Sequence, residues 1–471
     1  MLNALADLDF RQSRSTPLSK LCETGARYGW KELEAAANPK LLASISSRAK
    51  VSLERDLQRS LERLTRPCLE LEQTSFGLAL NSLGLAVSDD PKVTEKMFLG
   101  DKPSHRLFSL FKKFPVLAKL WCQLISHWRE HVTEVLSRFT KDRGALSSTF
   151  FGGQPVARIA DIRCSLSDPH NYGRTVMELR FEAGAVVYKP RPGDGEWEWG
   201  SLLEWMNAHS FEPRLRAATV LRRKGYCWME RIEAAPCKNA AEARRFYERM
   251  GAIIAVAYLL RAVDCHRENL IASGEYPALI DADALFHVVP EMKGKTPLTL
   301  LHSTGFFPSS NPRSLQSRSS ILAESKTGNH VARIGTRPLH VAQYQREINK
   351  GFSSAWRCIL ATKDRRGAFV RRLRRIQSRA RRRFYAATEK YAAIKKASIQ
   401  PSALRSARER QLLLSRLCTR NAVASKVIKV EIGALKALDI PYFLLEGRGQ
   451  ITPDPARIPA AVREALRRPL S

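Results

Sequence analysis

The apolar run at residues 250–260, MGAIIAVAYLL, reads as helix and leads into a polar loop, Val263-Asp264-Cys265-His266-Arg267-Glu268-Asn269-Leu270. A turn at Ser273-Gly274-Glu275 follows, then a β-like run ending in Leu279-Ile280-Asp281-Ala282-Asp283. Helix, polar loop, hairpin and a terminal acid is the order of parts in a phosphotransferase catalytic loop. In such loops an Asp orients or deprotonates a hydroxyl, an Asn a few residues on takes Mg²⁺, and a second Asp on the next hairpin takes Mg²⁺ too. Mg²⁺ needs hard oxygen ligands, and one or two carboxylates with phosphate oxygens suffice. Asp264, Asn269 and Asp281 stand in those places. The Asp-x-His-x-x-Asn spacing is weak by itself, because polar residues on a solvated turn are common.

Net charge narrows the partners. The 471 residues carry a formal charge of +32, mostly from arginine. That excess suits nucleic acid, an anionic membrane surface, nucleotide phosphates or an acidic peptide, and it also suits plain compositional bias toward Arg. Nine cysteines are scattered without a Cys-x-x-Cys pair, which argues against a zinc ribbon and fits a reducing, cytoplasmic setting. Asp7 and Asp9 interrupt the N-terminus where a signal peptide would be apolar, and no run of eighteen apolar residues offers a membrane span.

Residues 1–60 are polar with broken apolar periodicity, which predicts short helices. Residues 107–136 repeat apolar side chains every three or four positions, with Pro115 starting or kinking a helix. The texture changes at Phe150-Phe151-Gly152-Gly153. Short β-branched or alternating runs at 158–163, 175–181 and 185–189 predict strands, the last two joined through Glu182-Ala183-Gly184. Lys189 then ends a strand just before Pro190-Arg191-Pro192. A helix at 197–208, a strand at 218–222 that precedes Gly225-Tyr226-Cys227-Trp228-Met229-Glu230, and the long helix at 241–263 complete the approach to the Asp264 loop. A strand lysine, a helix, a linker strand, a long helix and an Asp-x-His-x-x-Asn loop match the order of a kinase-like enzyme, in which the lysine neutralises nucleotide α- and β-phosphates. No glycine-rich phosphate loop of the protein-kinase type is present.

Residues 290–340 are rich in Ser, Pro, Gly and basic residues, which predicts a mobile loop over a cleft or a peptide-docking surface. From 341 to about 417 the chain reads as helical. Its run RRGAFVRRLRRIQSRARRR at 365–383 is either a solvated basic face or an anion site for a phosphate or acidic peptide. A further helix is expected at 425–438.

The motifs taken together resemble the N-terminal dehydratase domain of type 2 lanthipeptide synthetases, the LanM enzymes. The matching stretches are Asp168-Pro169-His170-Asn171-Tyr172-Gly173-Arg174, Val187-Tyr188-Lys189-Pro190-Arg191, Leu203-Glu204-Trp205-Met206-Asn207, Asp264 with Asn269-Leu270-Ile271-Ala272, and Leu279-Ile280-Asp281. Gly305-Phe306-Phe307-Pro308, Asn349-Lys350-Gly351-Phe352, Thr388 with Tyr391, and Asp439-Ile440-Pro441-Tyr442-Phe443 continue it in order, so it spans roughly residues 100–445.

The resemblance implies an α+β fold with a kinase-like bilobal (lipid-kinase-type) core and helical C-terminal additions. Its parts would be a helical region at 1–149, a β-rich N-lobe at 150–235, a helical C-lobe at 236–445 and a tail at 446–471. It also implies a two-step reaction in lantibiotic biosynthesis. ATP and Mg²⁺ would serve phosphorylation of Ser and Thr in a ribosomal precursor peptide with a leader, and loss of phosphate would leave dehydroalanine or dehydrobutyrine. Lys189 would hold ATP phosphates, Asp264 would act on the hydroxyl with His266 orienting it, and Asn269 and Asp281 would hold Mg²⁺. Asp168, His170, Arg382 and Thr388 occupy the positions used for elimination.

Ser167 replaces the usual Gly, and Asp283 replaces the usual Glu, one methylene shorter. The family continues into a zinc-dependent lanthionine cyclase, whereas this chain stops at Ser471 with no cysteine after Cys418. It thus looks like a dehydratase working with a separate cyclase, or a truncated remnant. A kinase without elimination is the nearest alternative. A basic nucleic-acid-binding protein is less well supported, since only Phe369 interrupts the arginine run for stacking.

Overall fold

Ala49, Leu53, Leu57, Leu61, Leu64 and Cys68 recur every three or four residues, and all are buried along one helix, Ser47–Ser82, of 36 residues. Side chains three and four apart share a helix face, so charged residues between them do not break the stripe. Of the short helices expected at 1–60, only Pro39–Leu42 is found among the described residues 17–60, which are otherwise taken up by the start of this long helix and by the 20-residue helix Pro17–Ala36. Ser46 starts the long helix, its Oγ accepting from Ala49 N at 3.0 Å.

The computed structural model describes residues 17–85, 90–100, 103–286, 297–308, 320–323, 325, 327–361, 363–379, 381–419, 424–445 and 462. The tail expected at 446–471 lies outside these apart from residue 462, and so does part of the region 290–340. The chain is a mixed α+β protein with small antiparallel sheets, divided into two compact units: residues 1–190 with 386–442, and residues 191–385 with 443–471.

In the first unit, Pro17–Ala36 and Ser47–Ser82 pack with a second 36-residue helix, Pro115–Phe150. Pro115 opens that helix at a first-turn position, where a missing N–H costs nothing. Trp121 is fully buried, and its Nε1 donates to Thr65 Oγ1 at 2.8 Å. Strands β1 (Asp161–Arg163), β2 (Met177–Phe181) and β3 (Gly184–Lys189) form antiparallel pairs, with Ile162 opposite Leu179 and Met177 opposite Tyr188. Phe181 faces Gly184, so Glu182 and Ala183 make the turn. Lys189 ends β3 and is 5% exposed. Helices Thr388–Ser398, Ala407–Cys418 and Ser425–Lys436 also belong to the unit. Buried Arg410 joins them by donating to the carbonyls of Ser398, Leu435 and Lys436, each at 3.0 Å. These carbonyls lie in the last turns of two of the helices, where intrahelical donors run out.

The second unit is built on helix Ala240–Leu259, which is buried on nearly every side from Phe246 onward. Asn239 and Glu242 close its start reciprocally: Asn239 Oδ1 accepts from Glu242 N, and Glu242 Oε2 from Lys238 N. Its neighbour is Gln345–Leu360. A Cβ on Gly251 would lie 2.0 Å from Ile348 O, and one on Gly351 would lie 1.7 Å from Glu248 O. Two glycines thus let these backbones touch. Around this pair stand helix Asp194–Ala208, helix Lys363–Gln377 and four antiparallel strand pairs. These are β4 (Val220–Arg223) with β5 (Tyr226–Glu230), β6 (Leu270–Ser273) with β7 (Tyr276–Leu279), β8 (Arg333–Ile334) with β9 (Arg337–Pro338), and β10 (Arg381–Arg383) with β11 (Phe443–Leu445). The helical stretch expected from 341 is interrupted by β10. None of the described helices is long and apolar enough to cross a membrane.

His131, on helix Pro115–Phe150, is 3% exposed and meets the backbone of Thr175 through Nε2. Burial lowers its pKa from 6.5 to about 4. The unfolded chain therefore binds a proton first as pH falls, and the stability that neutral His131 confers above pH 6.5 is lost progressively down to about pH 4. The full effect is on the order of 3 kcal/mol. His131→Gln should flatten the fall in unfolding free energy between pH 6.5 and 4 relative to the unaltered chain, measured by denaturant titration at a series of pH values.

Candidate active site

The helix Ala240–Leu259 delivers the chain to Asp264, whose φ of 67° lies in the left-handed region. A non-glycine residue held there marks a backbone constrained by its surroundings, and such residues gather at functional sites. The constraint comes from both sides. Val263 N donates to Ala284 O, and Cys265 N donates to Thr304 O, both at 3.0 Å. The next turn is the 3₁₀ segment Arg267–Asn269, started by His266, whose Nδ1 accepts from Glu268 N at 3.3 Å. An Nδ1 that accepts puts the ring proton on Nε2, and Nε2 faces Asp264 Oδ1 at 3.4 Å. Asn269 Nδ2 donates to Asp264 O at 2.8 Å, which leaves Oδ1 as the amide's donor atom toward a cation. Ile280 N donates to Asn269 O at 2.8 Å, continuing the β6–β7 register and bringing Asp281 beside Asn269.

Two arginines complete this cluster. Arg382 N donates to Asp283 O at 2.9 Å, and this backbone bond carries the guanidinium in. Its Nη1 lies 3.9 Å from Asp264 Oδ2 and 4.0 Å from Asp283 Oδ2. Arg191 binds Glu196 through two nitrogens, at 2.6 and 3.2 Å, and reaches Asp281 Oδ1 at 2.7 Å and Asp283 Oδ2 at 3.5 Å. Burial and the neighbouring Asp281 raise the Asp283 pKa, and the two arginines oppose that rise. Asp264, His266, Asn269, Asp281 and Arg382, all expected from the sequence, are thus gathered in one place. Arg191 and Glu196 are not expected as site residues from the sequence, and Asp283 enters there only as standing where a Glu is usual.

The donor set suits Mg²⁺ as that ion is held by nucleotide enzymes. Among the described residues no group of three or more His, Cys, Asp or Glu forms a metal cage. Asn269 and Asp281 flank a backbone bond from Ile280 N to Asn269 O and are both hard-oxygen donors, the kind Mg²⁺ takes in small number from protein when phosphates supply the rest. Cys265, adjacent to His266, is buried and turned toward Val263 O, so it takes no part.

The first unit holds Lys189, Asp168, His170 and Thr388. Each of the two groupings expected from the sequence therefore draws on both units. The Asp168 loop is itself tightly built. Asn171, Tyr172 and Gly173 are successive left-handed residues, with φ of 47°, 67° and 77°. Their amides form a nest that Asp439 fills, with Tyr172 N and Gly173 N donating to its carboxylate at 2.5 and 2.9 Å. Burial raises the Asp439 pKa against those two bonds. His170 Nδ1 lies 2.6 Å from Ile440 O, so Nδ1 carries the proton and donates, and Nε2 holds the lone pair of the neutral ring. Thr388 opens helix Thr388–Ser398, and Lys395 lies two turns along the same face. Burial lowers the Lys395 pKa, opposed by the carboxylates of Asp168 and Asp439. The arginine-rich segment is partly an internal tie, with Arg375 Nη2 2.8 Å from the buried Glu198 and Arg372 Nη1 2.7 Å from Ser201 Oγ.

The chain is a mixed α+β protein in which an Asp loop with a left-handed residue, a nearby Asn, two further carboxylates and two guanidinium groups cluster in one unit. The profile of a family described as "Domain of unknown function (DUF4135)" matches residues 114–327 and 313–446, and the chain belongs to that family. It is also similar to the lacticin 481/lactococcin biosynthesis protein LcnDR2 of Lactococcus lactis subsp. lactis, at 22% identity over 387 residues. That match covers 70% of this chain and 40% of the relative, so the chain spans well under half of that protein's length.

Gly195 brings the first turn of helix Asp194–Ala208 against the Asp281–Asp283 segment: a Cβ there would lie 2.1 Å from Ala282 O and 2.9 Å from Asp283 Cα. Backbone cannot yield as a side chain can. Gly195→Ala should cost about 1–3 kcal/mol of unfolding free energy, in the range of overpacked cores, as read from denaturant melts.

Proposed function

We propose that this chain is an ATP-dependent dehydratase of lanthipeptide biosynthesis. It phosphorylates Ser and Thr of a ribosomal precursor peptide and then eliminates the phosphate. The observation that carries this reading is the convergence of Asp264, His266, Asn269, Asp281 and Arg382 in one cluster. Similarity to a lacticin 481/lactococcin biosynthesis protein supports a precursor peptide as the substrate class. The reading includes a kinase-like bilobal core, a leader-bearing peptide as partner and a cytoplasmic location.

Asp264 takes or orients the proton of the peptide hydroxyl as that oxygen gains the phosphoryl group. His266 Nε2–H steadies the carboxylate from one side. Asn269 and Asp281 would hold Mg²⁺, which supplies charge neutralisation on the transferring phosphate, and Lys189 binds the nucleotide phosphates. Arg382 holds the phosphate once it is on the peptide, beside the same Asp264 carboxylate. In elimination the Cα–H electron pair becomes the Cα=Cβ bond, and the Cβ–O pair leaves with the phosphate. Asp168, His170 and Thr388 serve this half-reaction with Arg382, and the lone pair on His170 Nε2 is suited to receiving a proton.

Incubation of the chain with a Ser/Thr-rich precursor peptide, ATP and Mg²⁺ should produce peptide lighter by one water per modified residue, read by mass spectrometry. Asp264→Asn should slow phosphorylation roughly 10²- to 10⁴-fold, the usual worth of an acid–base group. Arg382→Gln should accumulate phosphopeptide. Phosphopeptide accumulating with the unaltered chain would instead identify a kinase lacking elimination. Absence of both phosphate gain and water loss across a panel of precursors would contradict the proposal.

A further inference from the structure

Arg191 has no role in the proposed chemistry so far, yet its guanidinium is only 11% exposed and is surrounded by acids. Glu196 grips it bidentately, which fixes the plane of the fork. In that plane Nη2 reaches Asp281 Oδ1 at 2.7 Å, and Nε points toward Asp283 Oδ2 at 3.5 Å. The backbone is restricted as well. Arg191 stands between Pro190 and Pro192, and a residue before proline is pushed into extended conformation. Glu196 comes from the first turn of helix Asp194–Ala208, which the missing Cβ of Gly195 allows to sit directly on Ala282. Each end of the clamp is therefore set by backbone before any side chain rotates.

A long, freely rotating cation would suffice to neutralise these acids. A planar fork between prolines does something more specific: it holds one carboxylate oxygen of Asp281 at a fixed direction. We infer that Arg191 is a positioning residue that orients Asp281 to bind the nucleotide's divalent cation, acting by the shape of its fork rather than by its charge. This inference rests on the phosphotransfer reading of the Asp264 loop.

Shape and charge predict opposite signs. A guanidinium near a divalent cation repels it, so on charge alone Arg191→Gln should tighten metal binding and Arg191→Lys should leave it unchanged. If Arg191 orients Asp281, both substitutions should weaken binding, because lysine cannot bridge Glu196, Asp281 and Asp283 from one rigid plane. The test is an electron paramagnetic resonance titration of Mn²⁺ into the full chain, with a saturating non-hydrolysable ATP analogue. Thermal melts establish that each variant is folded. Loss of an outer partner of a metal ligand typically costs 10–100-fold in affinity, and a weakening of about that size is expected for both variants.

Unchanged Mn²⁺ affinity in Arg191→Lys, or tighter binding in Arg191→Gln, overturns the inference. Should Arg191→Gln fail to fold, Arg191→Lys decides alone. Absence of nucleotide-dependent Mn²⁺ binding by the unaltered chain is a separate failure, which removes the phosphotransfer reading and the role of Arg191 with it.

Discussion

The buried carboxylate of Asp283 is the point on which the candidate site depends. A charge taken out of water is costly unless it is paired and hydrogen-bonded. Here Arg191 approaches it from one side and Arg382 from another, while its own carbonyl accepts from Arg382 N. Those same arginines contact Asp281 and Asp264. One buried acid thus ties together the strand-end aspartate, the loop aspartate and the guanidinium of β10. The usual Glu of the resembling enzymes is longer by one methylene. The shorter Asp still meets both arginines, at distances that are ion-pair rather than tight hydrogen-bond distances.

The first unit shows the same economy on a different scaffold. Three left-handed residues in a row would be a poor loop by themselves. Asp439 makes the conformation worthwhile by accepting hydrogen bonds from both inward-pointing amides, and Ile440 O accepts one from His170 Nδ1. The Asp168 loop and the Asp439 segment are thereby one structural object, although 267 residues separate Tyr172 from Asp439.

Much of this was legible in the sequence where the signal is local. The order of helix, Asp264 loop and hairpin, the strand ending at Lys189 and the helix started by Pro115 all follow from spacing and turn residues. The long helix Ser47–Ser82 was obscured because its apolar positions are separated by many charges, although their spacing is regular. The Arg191 clamp was not legible, since it requires Gly195 to sit on Ala282, a contact between distant segments that leaves no periodic trace. Asp439 could be named as part of a motif, but its function in the nest depends on φ angles no composition reports. Interrupting the predicted C-terminal helix, β10 is likewise set by pairing with β11 rather than by its own run of arginines.

What remains decisive is where a metal–nucleotide complex sits. Crystals of the full chain grown with Mn²⁺ and a non-hydrolysable ATP analogue would locate the ion by its anomalous scattering. A peak liganded by Asn269 and Asp281, with analogue phosphates completing the shell, is the expected result. A nucleotide-bound ion elsewhere on the chain, with neither residue as ligand, would contradict phosphotransfer at the Asp264 loop.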